Sequence, residues 1–298
     1  FRNWRTVGGC TAILLSDGLS RSPGFAFKTV LEAGQFLAWA LAHLDVLKAA
    51  AEATTRHGKL LEVRPHLEAN HLYLVCEYAT GDASGQNMAT LATEAFCQAL
   101  LTQCPISPEY WFLEANFSGD KKASAQAFLG VRGKKVTAEA YLPEDLLHQH
   151  LHTDSTTLQR YWRMSALGGV MSGTLGVQGH YANGLAALYL ATGQDVACVA
   201  ESSVGVTRLE ATTEGLYAAV TLPNIMVGTV GGGTGLPTQH AGLQILGLAG
   251  TGHAAALAEV TASICLAGEL SLIGAICAGQ FANAHQRLAR LRSHTQAP

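Results

Sequence analysis

The stretch Val227-Gly-Thr-Val-Gly-Gly-Gly-Thr-Gly-Leu-Pro-Thr-Gln239 places three consecutive glycines between an apolar strand pattern and an apolar helical pattern. Leu222 and Ile225 belong to the strand pattern, and the helical pattern runs over residues 241–248. Because glycine has no Cβ, such a run lets the backbone take positive φ or approach another group closely. A turn from a strand into a helix also offers free N–H groups to a phosphate or carboxylate. The stretch therefore predicts either a tight packing turn or an anion-binding turn.

The composition of the chain limits its class. Of 298 residues, 48% are hydrophobic and only 14% are charged, and the formal net charge is −3. This balance favours a compact protein that hides additional surface in an oligomer, and the lack of a basic stripe argues against a nucleic-acid partner. The seven cysteines show no CxxC spacing, so neither a metal site nor a disulfide framework is predicted. No apolar run looks long enough to span a bilayer, and we expect a cytoplasmic protein, with an anchor upstream of residue 1 left open.

The first half of the chain predicts a small mixed unit. A helical pattern over 32–53 is followed by two alternating strands over 59–78, a helix over 89–101 and a strand over 110–115. Together these elements form a unit over residues 25–112 that resembles a ferredoxin-like sandwich.

The second half predicts a helix-centred domain. Strand patterns over 127–131 and 136–141 flank a hairpin turn at 133–135. Residues 158–192 have a helical pattern rich in small residues, which predicts a central buried helix because small residues let helices approach closely. A further helix over 254–278 carries Glu269 inside an apolar run, and a buried carboxylate needs a partner.

Five polar motifs in this apolar chain resemble, in wording and order, the catalytic domain of class I 3-hydroxy-3-methylglutaryl-CoA (HMG-CoA) reductase. They are Gly-Asp-Ala-Ser-Gly-Gln-Asn-Met at 81–88, Asp-Lys-Lys at 120–122, Gly-Gln-Asp at 193–195, Gly-Thr-Val-Gly-Gly-Gly-Thr at 228–234 and Ala-Gly-Glu-Leu-Ser-Leu at 267–272. The resemblance implies an α+β fold, in which a small NADP-binding ferredoxin-like domain (25–112) is inserted into a large helix-centred domain (1–24 and 113–298). It also implies a homodimer or tetramer whose active site lies between subunits.

The resemblance further implies a reaction: two NADPH reduce HMG-CoA to mevalonate and free CoA, a step of isoprenoid and sterol synthesis. Such chemistry needs a cation where negative charge develops on the carbonyl oxygen, and Lys121 matches the family's catalytic lysine. Asp195 matches the carboxylate that orients this lysine. His285 matches the general acid that protonates the departing thiolate.

The resemblance also assigns binding residues. Those matching the family's cofactor site are Asp82, Gly85, Gln86, Asn87, Gly231, Gly232 and Gly233, with Arg56 at the position that holds the 2′-phosphate of NADPH. Those matching its substrate site are Arg21, Asp120, Lys122 and Asn183.

The chain departs from the family pattern in three places. The family's catalytic glutamate would fall just before Phe1. A copy of its Ala-Thr-Thr-Glu-Gly motif stands at 211–215, but the flanking residues predict that Glu214 is an ordinary strand-end residue. Glu114 occupies a position where the family usually has a serine that contacts substrate. Two alternatives therefore stay open: a catalytically impaired, NADP-binding homologue or fragment, and a generic NADP-binding protein with another substrate, against which the Asp-Lys-Lys motif at 120–122 argues.

Overall fold

The computed structural model of the chain describes residues 9–130 and 132–282, which form an α+β fold. The strands are β1 (Thr11–Arg21), β2 (Gly24–Ala26), β3 (Lys59–Glu68), β4 (His71–Ala79), β5 (Tyr110–Phe112), β6 (Gly133–Pro143), β7 (Val206–Ala211) and β8 (Gly215–Ile225). The helices are α1 (Val30–Ala42), α2 (Leu44–Glu52), α3 (Gln86–Gln103), α4 (Glu144–Leu146), α5 (Ser155–Ser172), α6 (Tyr181–Thr192), α7 (Val199–Ser202), α8 (Pro237–Leu246) and α9 (Ala254–Cys277).

The strands form a single eight-stranded sheet in the order β5-β2-β4-β1-β6-β8-β7, with β3 on the other side of β4. All of the pairs between these strands are antiparallel. Strand β1 joins the two halves, because its end at Arg21 pairs with β4 while its start at Thr11 pairs with β6. The sheet is thus continuous through a single long strand.

Side chains fix the start of α1 and contact each other where it ends. Thr29 and Glu32 form a reciprocal capping box at the start of α1, which satisfies backbone N–H groups that the helix leaves free. The predicted single helix over 32–53 is instead two helices that meet at His43 with a bend of 70°. The His43 ring stacks on Trp39 and its Nδ1 lies 2.8 Å from the Trp39 carbonyl oxygen. The two predicted strands over 59–78 occur as β3 and β4.

Helix α9 is the central helix of the second half, packed against β1, β6 and β8. It is long and apolar enough to span a bilayer by length and composition, contrary to our expectation from the sequence. Eleven of its residues are buried in the fold, however, and one of them is Glu269. The Glu269 carboxylate accepts hydrogen bonds from the Gly179 and His180 backbone N–H groups and from the Thr207 hydroxyl, at 2.7–3.0 Å. The buried carboxylate therefore has the partners it needs.

The predicted hairpin over 127–141 was wrong. Residues Ala125–Leu129 form a short 3₁₀ helix, and 133–135 open strand β6, which pairs with both β1 and β8. Lys134, which looked like a turn residue, is only 3% exposed because its Nζ lies 3.0 Å from Asp17 Oδ1 on β1. A charged side chain can be buried in a strand when a distant partner neutralises it.

The prediction of one long buried helix over 158–192 was also wrong. The chain leaves the helix at Gly173 and re-enters it at Tyr181, giving α5 and α6. Only Ser155 and Leu158 of α5 are buried, and its small residues Ser165, Gly168 and Gly169 are half-buried. Gly173 marks the break in this segment, whereas Gly179 lies close to α9, since a Cβ there would be 2.8 Å from the Leu272 side chain.

Candidate active site

Three loops meet at one end of the fold: 81–85 before α3, 193–195 after α6 and 228–236 after β8. Backbone and side-chain hydrogen bonds hold them together. The Gln194 amide accepts from the Gly228 N–H at 2.8 Å and donates to the Gly228 carbonyl at 2.9 Å. The Thr229 N–H donates to the Asp82 carbonyl at 2.8 Å. The triple glycine is thus fixed against both of the other loops.

The loops enclose a cleft of about 660 Å³. Nine of the residues singled out in the sequence line it: Arg21, Gly85, Gln86, Asn87, Lys121, Asp195, Gly231, Gly232 and Gly233. At Gly231 and Gly232, φ is +74° and +54°, and an added Cβ would project into open space rather than into protein. These two glycines keep part of the cleft wall free of side chains.

Lys121 and Asp195 form an ion pair in the cleft, with Nζ 2.9 Å from Oδ2. Gln86 Nε2 also donates to Asp195 Oδ2, at 3.4 Å, and the Ala197 N–H donates to Oδ1 at 3.0 Å. The hydrogen bond with Asp195 raises the pKa of Lys121. Burial by itself raises the pKa of Asp195, but the bonds from Lys121 and Ala197 outweigh it, so the pKa is lowered. The pair is therefore an ammonium and a carboxylate near neutral pH.

Two residues that sequence reasoning missed lie directly behind this pair. The side chains of Arg132 and Glu201 are fully buried, and Arg132 Nε lies 2.6 Å from Glu201 Oε2. Glu201 Oε1 accepts the Lys121 backbone N–H at 3.2 Å, and Arg132 Nη2 lies 2.8 Å from Asp120 Oδ1. The sequence did contain a signal for Glu201, which is an isolated carboxylate within a run of small and apolar residues. The same kind of signal pointed to Glu269.

Two of the predicted site residues face away from the cleft. Asp82 accepts hydrogen bonds from the Gly252 and Ala254 N–H groups at the start of α9, at 2.8 and 3.2 Å. These hydrogen bonds lower the pKa of Asp82, and the bond from Gly252 has the largest effect. Asp120 lies between two guanidinium groups, since its Oδ2 is 3.1 Å from Arg21 Nη1 while Oδ1 faces Arg132. Both carboxylates therefore hold the walls of the cleft rather than line it.

The other predicted residues are dispersed. Lys122 is exposed and its Nζ donates to the Asp120 carbonyl oxygen at 2.9 Å. Asn183 is exposed on the first turn of α6, and Arg56 is exposed in the turn between α2 and β3. His285 lies outside the described residues.

The two glutamates that departed from the family pattern have different settings. Glu214 is exposed in the turn between β7 and β8, away from the cleft lining. Glu114 Oε2 is 4.0 Å from Arg21 Nη1 and accepts the Ser22 N–H at 3.3 Å, while its Oε1 accepts from the Ser118 hydroxyl. A second carboxylate therefore stands beside the guanidinium that lines the cleft.

The chain is similar to known proteins of one family, in sequence and in fold. The family model for hydroxymethylglutaryl-coenzyme A reductase matches residues 1–290. The 3-hydroxy-3-methylglutaryl-coenzyme A reductase of Haloferax volcanii is 41% identical over 96% of this chain and 72% of its own length. Reductase 2 of Gossypium hirsutum is 36% identical over 95% of this chain and 47% of its own length. Among solved structures, the class II reductase of Streptococcus pneumoniae bound to NADPH aligns with a TM-score of 0.70 and 18% identity, over 92% of this chain and 75% of that one.

Proposed function

The chain belongs to the hydroxymethylglutaryl-coenzyme A reductase family, and we propose that it reduces HMG-CoA to mevalonate and free CoA with two NADPH. The observation that carries this proposal is the Lys121–Asp195 ion pair inside a glycine-walled cleft. We assign the chain to the class I type, since an archaeal and a plant relative share 41% and 36% of their residues with it, whereas the class II structure shares 18%.

The residues present fit a dinucleotide. Gly231 and Gly232 leave open the space that a Cβ would fill. Helix α3, eighteen residues long, begins at Gln86 in the cleft, and the free N–H groups of its first turn favour a pyrophosphate. We infer that Gly85, Gln86, Asn87 and residues 231–233 hold NADPH, which supplies the hydride when bound. Asp82 supports this set by fixing its loop to α9.

Arg56 is our candidate for the 2′-phosphate of NADPH. The turn that carries Arg56 packs onto the first turn of α3, since a Cβ on Gly58 would overlap the Met88 side chain, and Met88 lines the cleft. An exposed guanidinium at this position can form paired hydrogen bonds with a phosphate. This favours NADPH over NADH.

Lys121 is the candidate that donates a hydrogen bond to the substrate's carbonyl oxygen. Reduction of a thioester places negative charge on that oxygen, and a fixed ammonium stabilises it. Asp195 holds the lysine protonated and restricts its direction. Arg21, which lines the same cleft, is the candidate for the substrate's terminal carboxylate. The roles of Lys122, Asn183 and the general acid His285 stay predictions.

We also propose the domain organisation that the resemblance implied. Residues 25–112 contribute β2, β3, β4 and β5 in the antiparallel order β5-β2-β4-β3, which supports a ferredoxin-like small domain inserted into a large domain formed by 1–24 and 113–298. A homodimer or tetramer is supported by the apolar face of α5, where Met164, Leu167, Val170 and Met171 are 67–83% exposed. A cytoplasmic location stays a prediction.

A second candidate is a homologue that binds NADPH but turns HMG-CoA over poorly. Glu114 favours it, because a carboxylate 4.0 Å from the Arg21 guanidinium opposes binding of a substrate carboxylate at the same site. A third candidate is a generic NADP-binding protein with another substrate. Cofactor binding alone does not explain the Lys121–Asp195 ion pair, which argues against this candidate.

The test is loss of NADPH absorbance with HMG-CoA, in a preparation that carries any residues its gene encodes before Phe1. We expect turnover, and a drop of roughly 10²–10³-fold in kcat for Lys121→Met, as for removal of a donor to a developing oxyanion. Lys28→Met is the matched control, since Lys28 is exposed before α1 and lies away from the cleft lining. NADPH binding without oxidation by the wild-type protein would support the second candidate instead.

A further inference from the structure

A line of four alternating charges runs from the core to the cleft. Glu201 contacts Arg132 at 2.6 Å, Arg132 contacts Asp120 at 2.8 Å, and Asp120 contacts Arg21 at 3.1 Å. The first two side chains are fully buried and the Arg21 side chain is only 9% exposed. Replacing a buried ion pair by well-packed apolar residues is often neutral or stabilising. Stability alone is therefore a weak reason for this arrangement.

The inner end of the line is attached to the backbone of Lys121. Glu201 Oε1 accepts the Lys121 N–H at 3.2 Å. Lys121 has φ of +56°, a left-handed conformation that is unfavourable for a residue with a Cβ and needs support from its surroundings. The hydrogen bond to a buried carboxylate that Arg132 holds in place is such a support.

Glu201 and Asp195 belong to one short segment. Asp195 caps the 3₁₀ turn Val196–Cys198, which continues directly into α7 with Glu201 on it. This segment therefore holds Lys121 at two atoms, the backbone nitrogen through Glu201 and the side-chain Nζ through Asp195. On the other side, Arg132 also holds the preceding residue, Asp120.

We propose that Arg132 and Glu201 are positioning residues for Lys121: they fix its left-handed backbone so that its ammonium reaches the point in the cleft where the carbonyl oxygen of the substrate reacts. Neither residue lines the cleft, so both act through Lys121 rather than on the substrate. The assignment rests on the proposed function, in which Lys121 stabilises the developing oxyanion.

The main variant is Glu201→Gln. Glutamine keeps the size of the side chain and an oxygen that can accept the Lys121 N–H, but it removes the charge that faces Arg132. We expect kcat with HMG-CoA to fall about 10- to 100-fold, as for a displacement of a reacting group by roughly 1 Å. The NADPH dissociation constant should stay unchanged, because the glycines and the start of α3 are untouched.

A second readout does not depend on turnover. The pH dependence of Lys121 labelling by an amine-reactive reagent, followed by mass spectrometry, reports how firmly Asp195 holds the ammonium. In Glu201→Gln the half-labelling pH of Lys121 should move down, because the hydrogen bond with Asp195 that raises its pKa is weakened. Labelling of Lys28, which is exposed before α1, is the internal reference for the reactivity of the reagent.

Two further variants separate positioning from folding. Asp17→Asn removes another partly buried ion pair, that with Lys134, which does not touch Lys121. It should lower the melting temperature without changing kcat or Lys121 labelling. Arg132→Lys keeps the charge, but a single ammonium cannot span Glu201 and Asp120 as the guanidinium fork does. It should therefore repeat the Glu201→Gln phenotype.

The outcomes distinguish the inference from the function on which it rests. No turnover of HMG-CoA by the wild-type protein would refute the proposed function, while the labelling shift would still test the attachment of Lys121. Wild-type turnover with unchanged kcat and labelling in folded Glu201→Gln or Arg132→Lys would refute the positioning role alone. Failure of both variants to fold would also count against it, since the pair would then serve stability.

Discussion

Replacing Gly193 with alanine tests how closely two loops of the cleft approach each other. Gly193 ends α6 with φ of +73°. A Cβ there would overlap the Gly233 carbonyl oxygen and lie 2.8 Å from the Thr234 nitrogen, whereas ordinary contacts begin at 3.4 Å. The substitution therefore forces the 193–195 loop away from the triple glycine or strains both.

The magnitude follows from two costs. A left-handed conformation costs a residue with a Cβ roughly 1–2 kcal/mol, and forcing atoms into a packed contact costs about 1–3 kcal/mol more. Together they predict a loss of about 2–5 kcal/mol in the free energy of unfolding. Because Asp195 follows in the same loop and Gly233 lines the cleft, the NADPH dissociation constant should also rise, by roughly tenfold for each 1.4 kcal/mol of binding lost.

Gly247→Ala is the matched control. Gly247 ends α8 in the same way, with φ of +71°, but a Cβ there would meet nothing within 4 Å. Gly247→Ala should lower the free energy of unfolding only by the cost of the left-handed conformation, roughly 1–2 kcal/mol. NADPH binding should be unchanged. Both variants are compared by urea unfolding and by fluorescence titration with NADPH. Equal destabilisation of the two variants, or equal NADPH affinity, would refute the close approach.

Two further substitutions test single carboxylates. Asp82→Asn should lower the free energy of unfolding by about 1 kcal/mol, because a charge at the start of α9 is lost. Since the folded pKa of Asp82 lies below its ordinary 3.8, this difference should be complete above that pH and disappear as the pH falls through the lowered value; a constant difference in acid would contradict the assignment. Asp195→Asn should remove the negative charge that helps to raise the pKa of Lys121. Activity should fall by roughly tenfold or more, and the remaining activity should be lost at a lower pH than in the wild-type protein. An unchanged alkaline limb of the kcat–pH profile would show that Lys121 does not titrate there.

Short motifs located most of the cleft because each lies within a few consecutive residues. The triple glycine, Lys121 and Asp195 could be found in this way, and the structure brings them to one cleft. A short motif can be recognised from its own consecutive residues, whatever the distance along the chain to the next motif.

Long-range partners could not be found in the same way. Arg132 and Glu201 are far apart in the chain, and no sequence pattern around either residue indicates that the two form an ion pair. Lys134 was misinterpreted for the same reason, since its burial depends on Asp17. Helical periodicity shows which face of a segment is apolar but not what covers it, so α5, with only two of its residues buried, was interpreted as part of a buried helix.

By itself, then, the amino-acid sequence determined the chemical inventory of this protein: a lysine, a carboxylate and a glycine-rich turn in the order of one reductase family. Only the tertiary structure decided that Asp82 caps α9 and that the backbone of Lys121 rests on a buried ion pair. The physical reason is that a residue's type depends on the residue alone. Burial and the pKa of a charged group depend on which distant atoms replace the water around it.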